Sequence, residues 1–300
     1  PSRGRDRRAS RVSVATARRG VAGALQEPSR AFVVGLVAVA VVLRIVLAIT
    51  TRGNGDIDNE LRAANWLVSS PLHFYARESV GNPVWPDLSG YFPVVVVARA
   101  LHVALGIGFA FLVRLPVIAA NLFLAWLIDS ELRRREVGPQ LRMVALITIL
   151  FSPLLVFESG WHAQIDLVSV AFAAAGFAVW ERWDGDRRAI GAGALLAIAG
   201  LIKPIPAVAL IALLPHVRSR RELVLLLGSA AVVLAVGIVP WAINEWHPLL
   251  KRLDYQGVPG LGGLSLLVQP NLATVWLNGG HHIAFNAVEN PVLAHARTIS

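Results

Sequence analysis

The chain has 300 residues, 55% of them hydrophobic and 16% charged, and a mean hydropathy of +0.59, which is too apolar for an ordinary soluble domain and points to a polytopic membrane protein. A formal net charge of +9 would suit a nucleic-acid binder, but the arginines lie in short loops between apolar runs, the pattern of topology signals and not of a basic groove. Cysteine is absent, which excludes disulfides, a thiolate nucleophile and cysteine-ligated zinc, and the histidines never take the HExxH spacing of a zincin.

Residues 1–30 carry eight arginines against Asp6 and Glu27 and read as a basic, mostly disordered cytoplasmic tail. The apolar run from Ala31 to Thr50 is long enough to span and lacks a small-residue cleavage site. It reads as a first transmembrane helix running outward, not as a cleaved signal. An outer loop, 51–108, follows. Its first part holds the acidic stretch Gly55-Asp56-Ile57-Asp58-Asn59-Glu60, and Asp58 to Val68 predicts a short helix along the membrane, ended by Ser69-Ser70-Pro71. Pro83, Pro86 and Gly90 predict an irregular loop. Tyr91 to Gly106 is apolar but contains Arg99 and His102, and at about 1.5 Å per residue it barely crosses a ~30 Å core; it reads as an interfacial or re-entrant helix.

The second span, Phe109 to Ile128, delivers Arg133, Arg134 and Arg135 to the inside. The third, about Met143 to Phe157, runs outward to the short loop Glu158–Asp166. The fourth, about Leu167 to Trp180, returns to Arg182, Arg187 and Arg188. Ile190 to His216 is broken by Lys203-Pro204-Ile205-Pro206 and predicts a hairpin of two spans with Lys203 at its outer apex. The seventh span, Leu223 to Ile243, ends outside. The expected architecture is therefore all-α and polytopic, with about seven transmembrane helices in residues 31–243. Residues 244–300 read as an outer loop with interfacial helices, and a chain that stops here without another span reads as a fragment of a longer protein. This topology puts 18 arginines inside and six Lys or Arg in the polar outer loops, which is the positive-inside asymmetry.

Three polar clusters then share the outer face: Asp56, Asp58 and Glu60; the loop with His162, Gln164 and Asp166; and Lys203. Acids are costly in lipid and belong in water or a polar cavity at the membrane surface, where a carboxylate can serve as a general base. A lysine at a broken hairpin can hold a phosphate as a point charge. Each has a structural reading as well. The acids can be merely solvated, His162, Gln164 and Asp166 can cap the fourth helix, and Lys203 can snorkel. Arg44, Arg99 and Arg114 can snorkel or pair with the loop acids. His281-His282 is a weak metal signal.

The order of these motifs resembles the GT-C membrane glycosyltransferases. Asp56-Ile57-Asp58, Leu61-Arg62-Ala63-Ala64-Asn65-Trp66-Leu67 and Pro71 look like their first outer loop, and Tyr91-Phe92-Pro93 with Arg114-Leu115-Pro116 like their second signature. Ser152-Pro153 with Gly160, His162, Gln164 and Asp166 resembles the loop between their third and fourth helices. Gly200-Leu201-Ile202-Lys203-Pro204 resembles the lysine hairpin of bacterial polyprenol-phosphate-mannose-dependent mannosyltransferases and of dolichol-pathway glucosyltransferases. Where many relatives carry Tyr, this chain has Glu60. The resemblance implies inverting transfer of a hexose, mannose or glucose, from a polyprenyl-phosphate donor to a lipid-linked or glycan acceptor. Asp56 would be the general base with Asp58 in reserve, and Lys203, His162, Gln164, Asp166 and Glu60 would bind substrate. No cofactor is implied and a divalent metal is left open. The setting it implies is a bacterial plasma membrane with the amino terminus in the cytoplasm and the active site on the periplasmic or extracellular face; the Arg- and Ala-rich, Lys-poor composition also suits a high-GC bacterium. Partners are the donor, the acceptor and membrane lipids, with no nucleic acid. A transporter or flippase for a lipid-linked or polar solute is the alternative; it would show repeat symmetry and polar residues at mid-membrane, and neither is seen.

Overall fold

In the computed structural model of the chain, the described residues are 29–53, 55–78 and 89–253. The expected basic tail, the Pro83–Pro86 loop, His281-His282 and most of the expected C-terminal loop lie outside them. Among the described residues the chain is helical throughout, with no strand.

Helix α1 (Arg30–Thr50) starts at Ser29, whose hydroxyl accepts from the Phe32 N–H at 3.2 Å, an N-cap. It is apolar on all sides and only Ala40, Arg44 and Ala48 are buried, so most of its surface suits lipid. The acidic stretch opens α2 (Gly55–Ser69), a helix that begins three residues before the expected start and buries Ile57, Ala64 and Leu67 on one face. A 3-10 turn (Pro71–His73) leads into α3 (Phe74–Glu78), and a second (Ser89–Tyr91) into α4 (Phe92–Leu105). Phe74, Tyr75, Phe92 and Trp241 form an edge-to-face cluster beneath this loop, which a short apolar helix can cover without crossing the membrane.

Helix α5 (Phe109–Arg134) runs through the middle and buries eleven residues. The expected third span is not continuous. It is α6 (Pro139–Phe151) and α7 (Pro153–Phe157), bent by 41° across Ser152. Ser152 takes an extended conformation, as the residue before proline prefers. A π turn, Glu158–His162, follows. Helices α8 (Asp166–Arg182) and α9 (Asp186–Ile202) form an antiparallel pair. The buried small residues Ala189, Ala192, Ala197 and Ala199 let α9 lie close to its neighbours, and the Ser169 hydroxyl donates to the Ala199 carbonyl at 2.7 Å. Lys203 breaks the chain, and the short α10 (Pro204–Ala207) and α11 (Ala209–Leu213) follow.

Helix α12 (Arg220–Leu253) is two helices run together: the first stops at Glu245, where φ is −140° and ψ 42°, close to the expected end at Ile243, and a second helix continues to Leu253. Pro248 explains the break, because it offers no N–H to the carbonyl three to four residues back and its ring crowds it.

Three helices are long and apolar enough to cross a membrane, α1, α5 and α12, and a fourth crossing arises if the bent α6–α7 pair is one span. The other runs counted towards seven form α8 and α9, of 17 residues each, and the broken segment 204–216.

Candidate active site

Asp56 and Asp58 both lie in the first turn of α2, where negative side chains offset the exposed N–H groups of the helix start. Two residues along a helix is a rotation of about 200°, so the pair divides. Asp58 is exposed, whereas Asp56 is half-buried and lies on the face shared with Glu60, one turn on.

Asp56 meets the π turn. Its Oδ2 is 2.7 Å from Nε2 of His162, and Nδ1 of the same ring is 3.1 Å from Oε2 of Glu158. Ionised carboxylates only accept hydrogen bonds, and a neutral imidazole donates once. Both contacts are hydrogen bonds only when the trio holds one further proton, on the ring as imidazolium or on one acid. The His162 side chain is 13% exposed and that of Asp56 29%, so the carboxylate is held firmly yet remains within reach of a substrate.

Two buried arginines fix this turn. Arg114 has no exposed surface. Its Nε and Nη2 donate to the Trp161 carbonyl at 3.1 and 2.7 Å, and its Nη1 donates to the carbonyls of Ala48 at 2.7 Å and Thr51 at 3.0 Å. Arg44, also without exposed surface, donates to the Ser159 hydroxyl at 2.9 Å, to Oδ1 of Asn121 at 2.7 Å and to the Ala40 carbonyl at 3.0 Å. The expectation that these arginines snorkel or pair with loop acids is therefore corrected. They remain buried and bind neutral oxygens, because the end of α1 and the π turn present carbonyls that would otherwise lack donors. Arg99, in contrast, reaches Oδ1 of Asn65 at the surface. Gly53 completes the node. Its φ is +81°, and a Cβ there would lie 2.5 Å from Nη2 of Arg114 and 2.9 Å from the Trp161 carbonyl oxygen, so no other residue fits.

Ala163 leaves the π turn with φ 64°, a conformation that costs about 1–3 kcal/mol outside glycine. Three residues on, Asp166 is the first residue of α8; its Oδ1 lies 3.9 Å from Nζ of Lys203. None of His162, Gln164 and Asp166 is the cap of that helix: the cap position is Ile165, with no side-chain bond. Gln164 is half-buried between the two pairs, its N–H donating to the Glu158 carbonyl at 3.1 Å. Lys203 is in an extended conformation before Pro204. Ser89 and Gly90 press on the residues before it: a Cβ on Gly90 would lie 2.8 Å from the Leu201 carbonyl carbon and 2.9 Å from the Ile202 nitrogen.

The structure thus joins Asp56 to His162 and Lys203 to Asp166, on two sides of a three-residue link. It keeps Asp58 apart from Asp56. Two further acids escaped the sequence reading. Glu158 lies one turn before His162, a spacing that is informative only once the segment is known to be helical. Glu245 is buried at the break in α12; it accepts from the N–H groups of Tyr75 at 2.8 Å and Ala76 at 3.2 Å and caps α3. Its position in a segment expected to be loop hid it. Among the described residues, no group of three or more His, Asp or Glu side chains is arranged to hold a metal.

The described residues form a helical membrane-spanning chain with an acid–imidazole cluster at one end of the bundle. Residues 89–267 match Glycosyltransferase family 87, a GT-C-type family, and the chain belongs to it. It is accordingly a transferase that takes a sugar from a donor to an acceptor. The matched region contains His162, Asp166 and Lys203, whereas Asp56 precedes it. No curated protein and no solved structure matches the chain.

Proposed function

We propose that this glycosyltransferase moves a hexose from a polyprenyl-phosphate donor to a lipid-linked or glycan acceptor, with inversion, at the membrane face where Asp56 lies. The observation that carries the reading is the half-buried Asp56 carboxylate held 2.7 Å from His162. Asp56 removes the proton of the acceptor hydroxyl as its oxygen bonds to the sugar C1 from the face opposite the phosphate. The C1–O bond to the lipid phosphate breaks, and the phosphate leaves with the electron pair. A base must lie within hydrogen-bond reach of the hydroxyl, and His162 fixes the rotamer of Asp56. The phosphate is already a good leaving group and needs charge stabilisation more than a proton; Lys203, which is 16% exposed and tethered to Asp166, supplies it. In this reading the amino terminus lies in a bacterial cytoplasm and the chemistry falls on the outer face; the gathering of Arg133, Arg134 and Arg135 at the far end of α5 supports it.

The test is donor-to-acceptor transfer by single variants. Asp56→Asn folds, binds donor and loses about 10²- to 10⁴-fold in turnover, the usual contribution of a positioned base. Asp58→Asn, altering a solvated side chain, loses much less. Near-wild-type turnover by Asp56→Asn ends the assignment.

A further inference from the structure

A second polar hollow lies at the opposite end of the bundle. The last residues of α5 and α8, the start of α9 and the end of the 204–216 segment close around a cavity of about 540 Å³, within the roughly 300–1,000 Å³ range of small-ligand sites. Its polar wall is Arg134, Glu181, Arg188, His216 and Arg218, and its apolar floor includes Phe177 and Leu213. Arg114 and Arg134 stand twenty residues apart on α5, about 30 Å, so this hollow and the Asp56 cluster lie at opposite ends of the bundle.

The cations around it outnumber the anions. Glu131 and Glu181 are shared by Arg134, Arg135 and Arg182. Arg188 pairs with Glu222 at 2.8 Å and lies 4.2 Å over the Trp180 ring. Glu222 also accepts from the backbone N–H of Arg218 at 2.6 Å. The guanidinium of Arg218 is exposed and makes no ion pair among the described residues. Surplus positive charge therefore faces a cavity with an apolar floor at a membrane boundary.

We propose that this cavity binds the headgroup phosphate of an anionic phospholipid. Guanidinium groups match phosphate in shape and charge, an apolar floor suits the glycerol and first acyl carbons, and a positive juxtamembrane cluster attracts anionic lipid. A choline headgroup fits poorly. The aromatic face that would receive its cation, Trp180, is already covered by Arg188, and the remaining charge repels it.

The experiment uses the full chain, purified in a nonionic detergent, stripped of lipid and titrated with dioctanoyl phosphatidylglycerol or dioctanoyl phosphatidylcholine, with bound lipid counted by native mass spectrometry. The glycerol lipid binds at least tenfold more tightly than the choline lipid. Arg218→Ala and Arg218→Glu each weaken it, the glutamate variant at least tenfold, without changing the melting temperature, since the side chain is exposed and makes no ion pair among the described residues. Equal affinity for the two lipids, or unchanged binding in both variants, overturns the proposal. Inorganic phosphate is the control for source: if it displaces the lipid at concentrations near those at which the lipid itself binds, the site takes free phosphate and the lipid assignment falls. Binding is read without sugar transfer, so the result is independent of the role given to Asp56.

Discussion

Arg114 shows how one residue type can mean opposite things in a membrane protein. An arginine in an apolar segment is ordinarily expected to reach for the interface, and here it turns inward to four backbone contacts. Buried carbonyls left without donors cost about 1–3 kcal/mol each, so Arg114→Met is expected to lower stability by about 3 kcal/mol or more, read as a fall in melting temperature in detergent. Transfer should fall further than stability alone explains, because the Trp161 carbonyl is the hinge that carries His162. A variant with wild-type stability would show that those carbonyls find other donors. At Lys203 the prediction is of binding. Lys203→Met inserts normally and loses affinity for a polyprenyl-phosphate analogue, and Lys203→Arg recovers part of it, since the charge is retained. Unchanged affinity in the methionine variant leaves Lys203 as an anchor for Asp166 only.

At the scale of elements, the breaks position the polar side chains. Ser152-Pro153 bends the chain so that the π turn aims His162 at Asp56, and Lys203-Pro204 ends α9 with the lysine 3.9 Å from Asp166. The break in α12 differs, because it presents Glu245 to the start of α3 and ties the outer loop to the last helix, assisted by the Trp241 indole N–H donating to the Pro71 carbonyl at 2.8 Å. Glu245→Gln keeps one acceptor oxygen and loses the charge, so one of the Tyr75 and Ala76 N–H groups is left poorly satisfied. The expected cost is about 1–3 kcal/mol, with faster hydrogen exchange in residues 71–78 and not in α5. Uniform exchange across the chain would sink this account of the latch.

Across the whole molecule, charge is sorted along the helix axes. Asp56, Glu158, His162 and Lys203 gather at one end, and the network of Arg134, Arg135 and Arg182 with Glu131 and Glu181 gathers at the other. Because the chain has no native cysteine, single cysteines at positions 56 and 133 report topology directly. Membrane-impermeant maleimide should label one from outside in intact cells and the other only after permeabilisation. Labelling of both from the same side would overturn the placement of the two clusters on opposite faces.

Much of this was legible in the chain itself. Apolar runs of spanning length gave α1, α5 and α12, Ser69-Ser70-Pro71 marked the end of α2, and Lys203-Pro204 marked a break, because these are local consequences of hydrophobicity and of the steric limits on the residue before proline; the bend at Pro153 lay inside a run read as one span. The acids, the histidine and the lysine could be selected for the same reason, since charged groups near lipid must have a purpose or a partner. What the chain could not supply is pairing. Asp56 and His162 stand 106 residues apart, and which of Asp56 and Asp58 turns inward depends on the helix that α2 becomes and on the face that Ile57 buries. The inward course of Arg44 and Arg114 and the latch at Glu245 were hidden for the same reason. In a membrane protein the lipid-facing and packed surfaces are both apolar, so hydrophobicity specifies that a helix exists while only the packed structure decides which of its faces meets another.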